Sequence, residues 1–245
     1  MAEEKIEKEN PSEAFSEKTI EERKRMTITF LKEKQIWVFG LLLVALVLGV
    51  YIRALPMMNH DSGTIPSILD FVTGTAFNGR PGLWDITTNT WTLGPDLDPW
   101  LFERSAKTIH DTGSLPSRDY MRNVPIGFDN SVETQLLPYM IIATHEISSL
   151  FYSDVTIEFA AVLFPVIAFG FTIIVFFLFV REIFIRKDKE SELKANIIAL
   201  LSTFLMITIP VFLSRTVAGI PEKESSAFFF MFLTFYLFLK AWKSE

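Results

Sequence analysis

Two short acidic segments are the residues of this sequence best suited to chemistry. The first is Asp96-Leu97-Asp98 and the second is Glu222-Lys223-Glu224, and both lie outside the long apolar runs. Carboxylates close to a membrane are costly unless they are paired, hydrated or bound to a cation. Because hard divalent cations prefer oxygen ligands, the segments together predict a Mg²⁺ or Mn²⁺ site formed by Asp98, Glu222 and Glu224.

Each acidic segment has a simpler explanation when it is taken alone. Asp96 and Asp98 would cap and hydrate the start of a helix, because aspartate is a common N-cap residue. Glu222 and Glu224 would belong to a solvated turn that introduces an apolar run. A shared metal site is the better interpretation only if both segments lie on the same side of the membrane.

The apolar runs predict an all-α membrane protein. Of the 245 residues, 49% are hydrophobic, and four runs approach the roughly 17–25 residues that cross a bilayer. The predicted transmembrane helices lie at about 36–54, 156–180, 195–214 and 225–242. The absence of cysteine excludes thiolate catalysis and disulfides. No basic stripe interleaved with aromatic residues suggests nucleic acid as a partner.

Lysine and arginine residues set the predicted orientation of the spans. They precede the first span, fill residues 181–194 and follow the last span, and cytoplasmic segments carry such an excess. An even number of crossings must therefore separate the N-terminus from residues 181–194. Residues 1–35 are expected to be a disordered cytoplasmic tail, and residues 55–132 an external loop of this cell-membrane protein. Both acidic segments are then expected outside.

Residues 133–152 are apolar enough to suggest a fifth span, but a crossing there would place residues 181–194 outside, against their charge. We expect instead an amphipathic helix on the outer surface. The residues of its predicted apolar stripe are Leu136, Tyr139, Met140, Ala143, Ile147 and Leu150. His145 and Glu146 could be a ligand pair, although a hydrated polar face is the commoner explanation.

A second helix is predicted within the long loop. Asp98 is expected to be its N-cap and Pro99 its first residue, with an end at residues 111–113. Arg104 is expected to neutralise Asp98 from the same helix. Arg215 could contact an anionic lipid headgroup or extend along the bilayer to the interface, and the residues alone do not separate these alternatives.

These segments resemble the catalytic subunit of oligosaccharyltransferase, in its archaeal form. Residues 96–104 resemble the first acidic motif of that family, and residues 121–128 resemble the loop segment that follows it. The run Arg-Thr-Val-Ala-Gly at 215–219, followed by Glu222-Lys223-Glu224, is similar to the second motif. Here the second motif is Glu-x-Glu, whereas versions that begin with Asp are common in the family.

The resemblance implies a GT-C type membrane glycosyltransferase. Such an enzyme moves an oligosaccharide from a dolichyl phosphate or diphosphate carrier to the Asn side chain of an Asn-X-Ser/Thr acceptor. Position by position, Asp98, Glu222 and Glu224 match acids of the family that bind metal or contact the acceptor. Asp98 and Glu224 are expected nearest the amide, with Asp96, Arg104 and Arg215 as weaker candidates for substrate binding. A single displacement is expected to invert the anomeric centre.

The resemblance extends from Ile36 to the end of the sequence but covers only the N-terminal part of the family. The Trp-Trp-Asp signature that recognises the acceptor is absent, so we expect a fragment that is inactive alone, with a second chain as one source of the missing part. Two alternatives remain: another GT-C enzyme such as a protein O-mannosyltransferase, and a non-catalytic four-span subunit or small transporter that binds a cation.

Overall fold

The computed structural model describes residues 35–59, 65–77, 79, 82–152, 155–186 and 188–244. Apart from Gln35, the predicted N-terminal tail lies outside these residues. The α-helices within them are α1 Ile36–Ala54, α2 Ile68–Thr73, α3 Asp98–Thr112, α4 Leu136–Ser149, α5 Ile157–Phe184, α6 Lys189–Thr208, α7 Pro210–Thr216 and α8 Lys223–Lys243. Short 3₁₀ turns cover Leu55–Met57, Thr75–Phe77 and Asn130–Val132.

Four helical segments are long and apolar enough to cross a membrane. They are Ile36–Met57, Ile157–Phe184, Lys189–Thr208 and Lys223–Lys243. Together with the dominance of helix in the described chain, they confirm the expectation of an all-α membrane protein with four such helices. α5 is apolar on every side and lies at the centre, where it packs against α1, α4, α6 and α8.

Strand structure in the described chain is limited to two small antiparallel pairs before and after α3. In the first, β1 Trp84–Asp85 pairs with β2 Thr90–Trp91, and Trp84 lies opposite Trp91. In the second, β3 Arg118–Asp119 pairs with β4 Phe128–Asp129. These hairpins order the polypeptide around α3, and β2 packs against α5.

The third predicted span is interrupted in the structure. α6 ends at Thr208, Ile209 is extended with ψ 124°, and Pro210 begins the separate short helix α7. Proline cannot donate a backbone hydrogen bond and disfavours helical geometry in the residue before it, so the break at Ile209 follows from the sequence. The carbonyl groups at the end of α6 therefore need other partners.

The helix predicted within the loop is α3, and it starts one residue earlier than expected. Asp98 is its first residue, Leu97 takes the N-cap position, and Pro99 lies in the first turn. Its end agrees with the prediction, because Gly113 adopts the left-handed conformation at φ +84° and its N–H bonds the carbonyl of Ile109.

α4 lies within the segment predicted to be amphipathic, and most of its predicted apolar stripe is exposed. Leu136, Tyr139 and Ile147 are exposed. The buried face includes Ile141 and Thr144 and packs on α3 and α5. The Thr144 hydroxyl donates to the carbonyl of Met140 in its own helix, so this polar group is paired within the buried contact.

Candidate functional site

The two acidic segments are joined by a backbone hydrogen bond between the glycines that precede them. The N–H of Gly94 donates to the carbonyl of Gly219 over 2.8 Å. Gly219 has φ +83°, and a Cβ there would lie 2.6 Å from a methyl carbon of Leu83. Only glycine fits this left-handed and crowded position without strain. The junction therefore fixes how closely the two loops approach.

The loop that leads to the second acidic segment is tied to the helix bundle through its backbone. The N–H of Ala218 donates to the carbonyl of Arg53 at 2.9 Å, and the N–H of Gly219 donates to the carbonyl of Val162 at 3.0 Å. Pro165 lies within α5 just beyond Val162 and disturbs the hydrogen bonding of that turn. The loop thus bridges α1 and α5.

Arg53 is a buried cation beneath this loop, with 0% of its surface exposed. Its Nε donates to Thr216 Oγ1 over 3.0 Å and its Nη1 to the carbonyl of Ile207 over 2.9 Å. Its guanidinium carbon lies 3.4 Å from the ring centroid of Phe169. Because Ile207 is at the end of α6, Arg53 supplies a donor and a positive charge where helix carbonyls lack partners.

Sequence reasoning missed Arg53, which lies at the end of the first predicted span and was given no role. Its position at the end of an apolar run was the available signal. A cation there either extends to water or is buried with specific partners, and the sequence does not show which.

Arg215 connects the two acidic segments through its side chain. Its Nη1 donates to Glu222 Oε2 at 2.5 Å and lies 3.5 Å from Asp96 Oδ2. Glu222 occupies the N-cap position of α8 but makes no side-chain capping bond, since its carboxylate is directed to Arg215 instead. Arg215 is thus held by two carboxylates of the protein, and no lipid headgroup is needed to account for its position.

Burial of the carboxyl raises the pKa of Glu222, and the adjacent carboxyl of Asp96 raises it further. The guanidinium of Arg215 opposes both effects but does not cancel them. The environment of Glu222 therefore favours the neutral, protonated carboxyl over a second negative charge beside Asp96.

The predicted metal ligands are only partly brought together. Glu224 lies in the first turn of α8, exposed, and close enough for its charge to act on Arg215. Asp98 is exposed at the start of α3 and forms no ion pair within the described residues. The partner that actually approaches Glu222 is Asp96. The carboxylate oxygens of these acids are ligands of the type that Mg²⁺ and Mn²⁺ prefer. In the structure, the positive charge beside Glu222 and Asp96 is the guanidinium of Arg215.

Arg104 does not neutralise Asp98, contrary to the expectation. It forms a two-point ion pair with Asp119 of β3. Arg104 follows Asp98 by six residues, which corresponds to about one and two-thirds helical turns and places it on another side of α3. Its role is to attach the second hairpin to that helix.

Glu133 anchors the start of α8 from the opposite side. Its carboxylate accepts bonds from Lys223 and Arg122, each at 2.9 Å. The Lys223 ammonium also lies 5.4 Å from the ring centroid of Phe102 on α3. The hydrogen bond from Lys223 lowers the pKa of Glu133, with a smaller effect from Arg122. Lys223 thus positions the helix turn that bears Glu222 and Glu224.

The fold and site define a multi-pass helical membrane protein with a charged junction at one end of its bundle. The family model "Oligosaccharyl transferase STT3, N-terminal" matches residues 86–245, which include both acidic segments. The chain therefore belongs to the STT3 family, the oligosaccharyltransferase-type membrane glycosyltransferases. No curated protein matches this chain.

Proposed function

We propose that this chain provides the acidic site of an enzyme that transfers a glycan from a dolichyl phosphate or diphosphate to Asn in an Asn-X-Ser/Thr acceptor. Membership of the STT3 family supports a lipid-linked oligosaccharide and an acceptor peptide as the substrates. The observation that best supports the location of this site is the junction in which Arg215 bonds Glu222 and lies beside Asp96. Acids from distant parts of the sequence meet there at the end of the bundle.

Asp98, Glu222 and Glu224 are the proposed ligands of Mg²⁺ or Mn²⁺. Bound there, the cation would stabilise negative charge on the phosphate leaving group. Asp98 and Glu224, both exposed at helix starts, are the proposed acceptors for the N–H groups of the acceptor amide. These hydrogen bonds would favour the less conjugated and more nucleophilic form of the amide. Displacement at the anomeric carbon from the side opposite the phosphate would invert its configuration.

Arg215 has two proposed roles in this site. Its bonds to Glu222 and Asp96 hold the two acidic segments together in the described structure. Its side chain is also 44% exposed, so its remaining N–H groups can approach a phosphate of the lipid carrier. Arg104, which is committed to Asp119, is a weaker candidate for substrate contact.

The site is proposed to face the outside of the cell membrane, with a cytoplasmic N-terminus. The family match favours this function over a protein O-mannosyltransferase and over a non-catalytic, cation-binding subunit or transporter. A second chain that completes the site is compatible with the proposal, and the archaeal form remains the proposed origin.

The test is transfer from a lipid-linked oligosaccharide to an Asn-X-Thr peptide by membranes that contain the enzyme. Asp98→Asn and Glu224→Gln should each lower the rate at least about 100-fold, as expected for groups that act on the reacting atoms. Asp129→Asn, which removes an exposed acid bonded to its own loop, should leave the rate nearly unchanged. Chelation should abolish transfer and Mn²⁺ or Mg²⁺ restore it. Transfer that survives both acid substitutions would refute the assignment of the site.

A further inference from the structure

A second group of metal-ligating side chains lies where α3 and α4 pack together, apart from the acidic junction. His110 is near the end of α3, and His145 and Glu146 belong to α4. The two imidazole rings lie edge to face with their centroids 5.1 Å apart. One ligand atom from each of the three residues lies within 4.8 Å of the others, which no other such group in the described chain achieves. The proposed transfer reaction uses none of them.

The hydrogen bonds of His145 leave one ring nitrogen available to a metal. Its Nε2 lies 3.2 Å from the backbone carbonyl oxygen of Val155, which can only accept, so Nε2 carries the proton. In the neutral ring, Nδ1 then has a lone pair, and it lies 3.4 Å from a carboxylate oxygen of Glu146. Two acceptors that face each other in this way are stabilised by a cation between them.

His110 has the complementary arrangement. Its Nδ1 lies 3.1 Å from a carboxylate oxygen of Asp111, so a neutral ring donates from Nδ1 and presents Nε2 as the lone pair. A hydrogen bond on the nitrogen that does not bind metal is a general feature of metal-ligating histidines, because it fixes the ring and its tautomer. Both histidines therefore have an oriented free nitrogen.

The surrounding charges favour a cation. Lys107, one turn before His110, is the nearest basic residue on α3, and it is bonded to Glu103 at 2.7 Å and to Glu158 at 2.8 Å. Its charge is thereby compensated locally. Asp111 and Glu146, both exposed, add negative charge around the histidines.

We propose that His110, His145 and Glu146 bind a Zn²⁺ ion that fastens α3 to α4. Two imidazole nitrogens and one carboxylate oxygen form a ligand set that zinc prefers. Tetrahedral bonds of about 2.0–2.2 Å require ligand atoms roughly 3.3 Å apart, so the side chains must close by up to about 1.5 Å. His110 and Glu146 are exposed enough to make this movement, whereas His145 is largely buried and fixed.

The first test measures Zn²⁺ binding to the purified, metal-stripped chain in detergent, by competition with a chromophoric chelator. We expect one Zn²⁺ per chain, and His110→Ala and His145→Ala should each weaken binding by about 100-fold or more, because either change leaves at most two ligands. Glu190→Gln, a control beyond the other end of α5, should bind as the wild type does. Weak binding by the wild type, or unchanged binding by both histidine variants, would overturn the proposal.

A second readout separates ligand loss from failure to fold, and it separates this site from the acidic one. Zn²⁺ should raise the midpoint of thermal unfolding of the wild type but not of His110→Gln or His145→Gln, since only a folded site gains stability from the ion. The double variant Asp98→Asn and Glu224→Gln should keep its Zn²⁺ affinity. Loss of Zn²⁺ binding in that variant would place the ion at the acidic junction instead.

Discussion

Arg53 at the end of α1 donates a hydrogen bond to Thr216 at the end of α7, although the two residues are 163 positions apart in the sequence. The carbonyl of Arg53 also receives the N–H of Ala218, so one residue holds both the side chain and the backbone of the loop that leads to Glu222. These contacts fix the position of α7 and of the loop after it, although Pro210 interrupts the third apolar segment. The acidic junction therefore rests on a buried cation that lies outside the matched family region.

Replacing Arg53 should destabilise the bundle because its partners are buried with it. Arg53→Met should lower the free energy of unfolding by about 1–3 kcal/mol, since it leaves the carbonyl of Ile207 without a donor and removes the contact with Phe169. Arg53→Lys should recover part of this loss. Denaturant unfolding in detergent measures the effect, and Arg186→Met at the exposed end of α5 should cost little. Equal effects of Arg53→Met and Arg186→Met would show that the buried contacts are not stabilising.

The two ion pairs of Arg215 should differ in strength. Glu222 is buried and lies at hydrogen-bond distance, whereas Asp96 is farther away and half exposed. Double-mutant cycles with Arg215→Gln should therefore give a larger coupling to Glu222→Gln than to Asp96→Asn, as measured by denaturant unfolding. A coupling to Asp96 that equals or exceeds the coupling to Glu222 would contradict the described geometry.

Gly219→Ala should disturb the junction of the two loops. The new Cβ would require left-handed backbone from alanine and would overlap the side chain of Leu83, at a cost of about 1–3 kcal/mol. The transfer rate should fall by more than the loss of folded protein accounts for, because the displaced loop carries Glu222. Gly40→Ala is the matched control, since its Cβ meets nothing within 4 Å and it lies within α1. Normal activity in Gly219→Ala would show that the loop tolerates displacement.

The sequence predicted those features that depend on local pattern. The apolar runs gave the four candidate spans, and Pro99 and Gly113 located the ends of α3 to within a residue or two. The break at Pro210 was missed because hydropathy averages over a proline that remains within an apolar run. The local rule for proline would have revealed it.

The details of the site depend on distant contacts that pattern alone does not encode. Sequence reasoning brought the two acidic segments to one face, but it favoured Asp98 over Asp96 as the neighbour of Glu222. Whether Asp96 or Asp98 approaches Glu222 depends on the backbone hydrogen bond from Gly94 to Gly219. That contact joins loops 125 positions apart. The ion pair of Arg104 with Asp119 was missed for the same reason, because Asp119 belongs to the hairpin of β3 and β4 and lies near α3 only in the folded chain.

The contribution of Glu133 to stability should disappear in acid. The pKa of Glu133 in the folded chain is lowered from 4.5, chiefly by the hydrogen bond from Lys223. A carboxyl whose pKa is lower in the folded state stabilises the fold above its unfolded pKa, and this stabilisation is lost as pH falls through the folded pKa. Glu133→Gln should therefore cost about 0.5–1 kcal/mol at pH 7, a value reduced by the partial exposure of Lys223. The difference from the wild type should shrink below about pH 4.5 and vanish below the folded pKa.

Thermal unfolding of Glu133→Gln and the wild type at several pH values measures this difference. Glu190→Gln is the control, and its stability should change little at any pH because the pair of Glu190 with Lys194 is exposed. A cost that stays constant as the pH falls would show that the ionised carboxylate of Glu133 is not what stabilises the start of α8.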